Sequence, residues 1–321
     1  MIDIIDNINI DSIPNCSKHN YKLNLLKNAL GDYLHIPVMI AKGQPGKTVG
    51  ITAAIHGNEL NGIPTIHSIW EKIDVKSFVG TLILVPVINV PGFMNGTREF
   101  YDGKDLNRIM PGKKYGTGSE RYAFQLIEKL VSLFELHFDL HTASEGRINS
   151  YYIKADLNNT TTAELTNILS PEIIVNSSGP KGSFRGACEK KGIPSLTLEL
   201  GDPNMFQIKH IKPAYCGLLR CLNYLSMLPG ISQEDINFSE RGAPLMCVSS
   251  HWYYTKHGGI LSIKPNLTDF VEKGQIIANI KDVFGEKVCS IKARQSGYVI
   301  GKSTYPVCHE GARVIHLGIP R

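Results

Sequence analysis

Apolar runs alternate with stretches of helical spacing along the first two thirds of the chain, and this rhythm predicts an α/β fold. Ile51 to Ile55 and the run TLILVPVI within Gly80 to Ile88 are β-branched and continuous, as strands buried on both faces are. Between them Leu60, Ile63, Ile66, Ile69, Trp70 and Ile73 recur at helical intervals. His35 to Ala41, Leu136 to His141, Tyr151 to Ile153, Ile173 to Asn176 and Ser195 to Leu200 read as further strands. Ser119 to Phe134, Thr162 to Leu169 and Lys209 to Leu228 read as helices, with Ser119 as a cap and Pro229-Gly230 as a stop. A short helix near Leu23 to Leu30 and a turn at Gly43 to Lys47 complete this part. Beyond about Ile236 the pattern changes to short strands: Leu245 to Ser249, Gly259 to Ile263, Phe270 to Ile280, Glu286 to Ile291, Gly297 to Gly301 and Arg313 to Leu317. We therefore expect two domains, residues 1–235 and a small β domain over 236–321.

Composition narrows the classes. At 42% hydrophobic and 20% charged residues, the 321-residue chain suits a large core and not a disordered protein. The net charge of +5 comes from scattered residues, so no basic stripe for nucleic acid is expected, while a small anionic ligand fits. No apolar run is long enough to span a membrane, and MIDIIDNINIDSI carries acids where a signal peptide is basic, so the expected location is cytoplasmic. Seven cysteines without a Cys-x-x-Cys pair read as reduced thiols.

The candidate chemistry centres on GITAAIHGNELN, Gly50 to Asn61, where an apolar strand runs into His56 and Glu59 at the mouth of a helix. An imidazole nitrogen and a carboxylate oxygen are two of the three protein ligands that a catalytic zinc site uses. His141, which closes the strand of LHFDLHTAS, is the best third ligand, since open α/β sheets place their sites at carboxyl ends of strands. Asp139 and His137 alternate with His141, so either could face the site; His137 is taken as an interior histidine and not a ligand. The polar loop NVPGFMNGTREFYDGKDLNRIMPG, Asn89 to Gly112, is long enough to be functional and carries Arg98, Asp105, Asn107 and Arg108. An arginine fork suits a carboxylate or an oxyanion. Glu199 is a carboxylate inside the apolar SLTLEL strand, readable as an edge residue or as a base beside a metal.

HGNE at His56 to Glu59, DLNR at Asp105 to Arg108, DLH at Asp139 to His141 and TLELG at Thr197 to Gly201 follow one another in an order that resembles the succinylglutamate desuccinylase and aspartoacylase family. The resemblance runs from about Gly50 to the C terminus and implies a zinc-carboxypeptidase-like mixed sheet flanked by helices. It implies one Zn²⁺ per chain on His56, Glu59 and His141, with Asp105 orienting His56. It makes Asn107 and Arg108 the grip on a substrate carboxylate, Arg98 the group that polarises the scissile carbonyl, and Glu199 the general base. Arg185, in SFRGAC, becomes a second anion contact. The implied reaction is hydrolysis of the amide of an N-acyl amino acid or a similar small amine; a carboxypeptidase for short peptides and a non-catalytic zinc-binding module are the alternatives. HWYYTKHGGILSIKP, FVEKGQIIANI and ARQSGYVIG resemble the biotinyl or lipoyl hammerhead of prokaryotic members, with IKDVFGEKV where a carrier hairpin would hold its lysine. Tyr254 or His257 is expected in the cleft wall, no membrane partner is expected, and a homo-oligomer is left open.

Overall fold

The computed structural model describes residues 2–232 and 242–321. Four parallel strands form the middle of a mixed sheet in the order Val79–Val85, Gln44–Ala53, Leu136–His141 and Ser195–Leu200. Tyr33–Lys42 and Ser17–Lys27 extend the sheet on one side through antiparallel pairing. On the other side come Tyr151–Ala155, Ile173–Asn176 and then strands of the last eighty residues.

Strand periodicity explains why the middle can hold chemistry. Val49, Ile51, Ala53, Leu136, Phe138, Leu140, Leu196, Leu198 and Leu200 project from one face into a single core. The helices Gly62–Lys72, Thr160–Leu169 and Ile208–Tyr224 cover that face, through Ile66, Ile69, Leu165, Leu169, Ala214 and Leu218 among others. Fully burying each Ile, Leu or Phe contributes roughly 1.5–3 kcal/mol. The intervening positions are Thr52, His137, Asp139, His141, Ser195, Thr197 and Glu199, all buried and all polar. They form a polar lane on the opposite face, flanked by a second core that includes Val85, Tyr122, Phe134 and Phe184. Register sets the lane's geometry: Thr52 is opposite Asp139, and His141 is opposite Glu199.

The C-terminal strands do not stand apart. Leu245–Tyr254 pairs in parallel with Ile173–Asn176, and Arg313–Pro320 and Gly297–Ser303 continue the same sheet. A four-stranded sheet of Lys287–Lys292, Ile276–Lys281, Gly259–Ile263 and Val307–Cys308 lies beyond, with Tyr253, Leu261, Val271, Ile277 and Ile280 in a core of its own. The expected domain boundary at 235 lies outside the described residues.

Several expected elements are corrected. Leu23 to Leu30 is not a helix: Ser17–Lys27 is a strand whose Leu23 and Leu25 are buried, and Leu30 is 86% exposed in the turn that follows. Ten residue pairs with Tyr33–Lys42 hold it, and this ladder overrides the helical spacing. The turn at 43–47 is mostly strand, since Gln44–Ala53 begins directly after Gly43. Thr117, not Ser119, caps the helix Gly118–Lys129, with Glu120 completing a capping box. Phe270 to Ile280 divides into Phe270–Val271 and Ile276–Lys281 at a turn with Gly274 at φ 89°. The long polar loop folds into a helix Val90–Asn95 and a 3-10 turn Leu106–Arg108. All seven cysteines are free, and five are buried. Among the described residues no helix is long and apolar enough to cross a membrane.

Candidate metal centre

The strand Gln44–Ala53 ends where Ala54 adopts a left-handed φ of 50°, and the chain turns through His56 and Glu59 before the helix opens at Gly62. Gly57 is required there, because a Cβ would stand 2.0 Å from the carbonyl carbon of Gly92. This close approach sets the turn against the segment that carries Arg98 and Asp105.

Donor atoms of His56, Glu59 and His141 lie within 4.8 Å of one another, and all three side chains are buried. Each histidine turns an outer nitrogen to a carboxylate: His56 Nε2 is 3.1 Å from Asp105 Oδ1, and His141 Nε2 is 2.8 Å from Asp139 Oδ2. Such partners orient the rings, and with a metal bound they would leave the two Nδ1 atoms as its ligands. Both Nδ1 atoms face Glu59, that of His141 at 3.0 Å from Oε2 and that of His56 at 2.8 Å from Oε1. The His56 contact has no hydrogen-bond geometry and leaves its Nδ1 a buried polar atom without a hydrogen-bond partner. Two inward imidazole lone pairs and a carboxylate fit the nitrogen and oxygen donor set of a catalytic zinc ion.

The surrounding charges are balanced. Burial by itself would raise the Glu59 carboxyl, but the adjoining His56 and His141 imidazoles outweigh it and hold it far below the carboxylate range. Thr142 N donates to Glu59 Oε2, and Arg98 Nη1 donates to Oε1 at 3.0 Å. Arg98 also donates to Asp105 through Nε and Nη2, and to Ser144 Oγ. Asp105 is likewise held low, against its burial, by His56 and Arg98. His141 is raised despite burial, because Asp139 and Glu59 flank it.

Glu199 sits beside His141 in register, buried and not at an edge. Asn149 Nδ2 donates to its Oε2 at 3.1 Å and Lys154 Nζ to its Oε1 at 2.9 Å. Burial alone would lower the Lys154 ammonium, yet Glu199 and Tyr152 raise it. These groups share a cavity of about 300 Å³ that opens over the strand ends.

The structure brings all nine expected site residues to this cavity. Their bonds differ from the expectation in places. Asn107 Oδ1 accepts from Phe184 N, so only its Nδ2 is left to face a ligand. Arg108 is 71% exposed at the rim, 3.3 Å from Asp105. Arg185 is buried, with its two terminal nitrogens donating to Ser177, Ser178 and Glu189. Neither Tyr254 nor His257 lines the cavity; a register irregularity between Trp252 and Tyr254 breaks the alternation, and Trp252, Arg313 and His316 are there instead. His137 stays in the interior, between Thr52 and Ser195, where burial lowers its pKa to about 4.

Sequence reasoning did not assign Asn149, Lys154, Arg147, Trp252, Arg313 or His316 to the cavity. Lys154 had a signal, a lysine within the apolar strand YYIKA that is the same anomaly as Glu199. The others carry no local motif.

The family model for the succinylglutamate desuccinylase/aspartoacylase catalytic domain matches residues 45–225. An N-alpha-acetyl-L-2,4-diaminobutyric acid deacetylase of Halomonas elongata is 23% identical over 270 residues, which are 81% of this chain and 78% of the relative. A succinylglutamate desuccinylase/aspartoacylase structure from Rhodobacter sphaeroides superposes with a TM-score of 0.88 at 20% identity, covering 99% of both chains. A product-bound ectoine utilization protein from Ruegeria pomeroyi gives 0.84 at 22%, covering 96% of this chain and 98% of that one. The solved structures share the mixed α/β fold with its large sheet.

Proposed function

The chain belongs to the succinylglutamate desuccinylase/aspartoacylase family, and from that premise we propose that it hydrolyses the amide bond of an N-acyl amino acid with one Zn²⁺ per chain held by His56, Glu59 and His141. The observation that carries this reading is the buried cluster of inward-facing donors with a second carboxylate, Glu199, on the neighbouring strand. The activities for which relatives are named, a deacetylase and a desuccinylase, support the same reaction class.

A bound Zn²⁺ would supply Lewis acidity and bring the pKa of a water from 15.7 toward about 7. In this reading Glu199 takes a proton from the attacking water and returns it to the leaving amine. Lys154 and Asn149 hold that carboxylate in one orientation, each through one oxygen. Arg98 faces the oxygen on which charge develops, a contact of a kind worth about 3 kcal/mol. Asn107 and Arg108 bind the substrate's α-carboxylate at the rim, where a planar fork gives two parallel bonds. Arg185 braces the 177–178 segment behind that subsite. We read the C-terminal strands as a hammerhead-like module that walls the cleft, since its hairpin tip at 282–286 is DVFGE and offers no carrier lysine.

The test is amine release by the zinc-loaded protein across N-acetyl and N-succinyl amino acids, including N-acetyl-2,4-diaminobutyrate, and short peptides. Release from acyl amino acids is the expected outcome. Cleavage of peptides alone, or silence with one metal bound per chain, would overturn the reading.

A further inference from the structure

The proposed chemistry makes no use of His137, a fully buried histidine on the strand that ends in His141. Phe134 stacks on its ring at 5.4 Å and 17°, and Phe184 meets it edge-on at 5.0 Å and 70°. Gly50, opposite His137 in register, makes room for this packing, since a Cβ there would stand 2.5 Å from the Phe134 ring. Such an aromatic sleeve would hold a phenylalanine equally well. The imidazole differs in having a polar neighbour at each nitrogen: Nε2 is 2.9 Å from Thr52 Oγ1, and Nδ1 is 2.9 Å from Ser195 Oγ and 3.4 Å from Cys188 Sγ.

The protons on these contacts run one way. Thr52 Oγ1 is 2.8 Å from Asp139 Oδ1, and a carboxylate has no proton to give, so the single Thr52 proton lies on that contact. The hydroxyl then meets His137 only as an acceptor, which places the imidazole proton on Nε2. Burial keeps the ring neutral by lowering its pKa to about 4, so Nδ1 is bare and accepts from Ser195 or Cys188. The result is one directed chain of donors, from Ser195 to His137 to Thr52 to Asp139. Strand register builds it, with Ser195 opposite His137 and Thr52 opposite Asp139. A carboxylate by itself turns readily about its Cβ–Cγ bond. Here His137 aims the Thr52 hydroxyl, the hydroxyl holds Oδ1, and Oδ2 is left facing His141 Nε2 at 2.8 Å.

We propose that His137 is a positioning residue of the metal centre, acting through Thr52 on Asp139 so that His141 presents Nδ1 to the ion. This rests on the zinc site proposed above and extends it by two residues away from the ion. His137 lines no part of the cavity, so it acts on metal affinity and not on the proton path or on substrate contacts. A ring held for packing alone would leave the direction of the Thr52 hydroxyl, and with it the Asp139 carboxylate, indifferent to what occupies the sleeve.

Two substitutions separate the donor from the ring. His137→Phe keeps an aromatic ring between Phe134 and Phe184 and loses the Nε2–H, whereas His137→Gln loses the ring and presents an amide N–H to Thr52. Zinc affinity in chelator competition should fall by about three- to tenfold in His137→Phe, a part of the 10–100-fold typical of a partner behind a ligand, and by less than about twofold in His137→Gln. Thr52→Val should lose at least as much as His137→Phe, and Thr52→Ser should keep the affinity. Adding His137→Phe to Thr52→Val should cost less than about twofold more, because links of one chain do not add. In the metal-free protein, nitrogen-15 spectra should show a neutral His137 ring with its proton on Nε2. A proton on Nδ1, an affinity weaker in His137→Gln than in His137→Phe, or effects at Thr52 and His137 that add would overturn the proposal. Zinc bound equally by the unaltered and His137→Phe proteins overturns it and leaves the metal site standing; an unaltered protein that binds no zinc overturns both.

Discussion

The two walls of the cavity treat charge in opposite ways. On the side of His56, Glu59 and His141 the buried groups pair within the protein: His56 and Arg98 meet Asp105, Arg98 also meets Glu59, and His141 meets Asp139. On the C-terminal side Arg147 and Arg313 share a tryptophan and, among the described residues, no carboxylate. A closed network fixes the positions of its members, whereas an open pair of forks is stabilised chiefly by what arrives.

Glu199→Gln gives the largest expected effect on that division. An isosteric amide keeps an oxygen for Lys154 and cannot carry the proton, so kcat should fall by about 10²–10⁴-fold. Zinc content measured by atomic emission should stay at one per chain. Loss of metal in this variant would mean that Glu199 belongs to the fixed network and not to the proton path.

The same substitution made on each wall sharpens the contrast. Arg98→Gln leaves buried Glu59 and half-buried Asp105 without their shared cation, a kind of loss worth about 3 kcal/mol even after allowance for the partial exposure of Arg98. Arg313→Gln removes a charge that nothing pairs with, so metal-free stability should change by less than about 1 kcal/mol or rise. Urea denaturation of both apo variants measures this directly. Equal losses would show that Arg313 is also part of a closed network.

Much of the wall around His56, Glu59 and His141 was legible because its residues break the local rules of their elements. Glu199 interrupts an apolar strand, and His56 and Glu59 interrupt a strand-to-helix turn; each departure marked a site. Asp139 was visible as a polar position, but only the register of three parallel strands shows that it holds His141. Arg147, Trp252, Arg313 and His316 had no such mark. They come from three strands far apart in the chain, and polar or aromatic residues in short amphipathic strands are ordinary. Their meeting depends on Leu245–Tyr254 joining Ile173–Asn176, a long-range pairing that no local period encodes. The helix expected near Leu23 failed for the same reason, since its fate was decided by a neighbouring strand.

Asp139→Asn tests how far the closed network extends. The amide can still accept from His141 Nε2 but withdraws the negative charge that stiffens the ligand, so zinc affinity should drop by about 10–100-fold in chelator competition. Thr52, which donates to Asp139 Oδ1, should show a smaller drop when changed to Val.

The smallest effect is expected at a charge that belongs to neither wall. Glu120 caps the helix Gly118–Lys129, accepting from Thr117 N and from Lys113 Nζ, each at 2.9 Å. The Thr117 N–H, then Lys113, lower its carboxyl from 4.5 to about 2. A folded pKa below the unfolded one means that this contribution is complete above 4.5 and fades as pH falls through about 2. Glu120→Gln should therefore lower the melting temperature slightly at pH 6, and the gap to the unaltered protein should close as the solution is acidified across that window. Turnover and zinc content should both be unchanged. A change in either would mean that charges outside the cavity also act on it, and the division between a closed wall and an open one would lose its meaning.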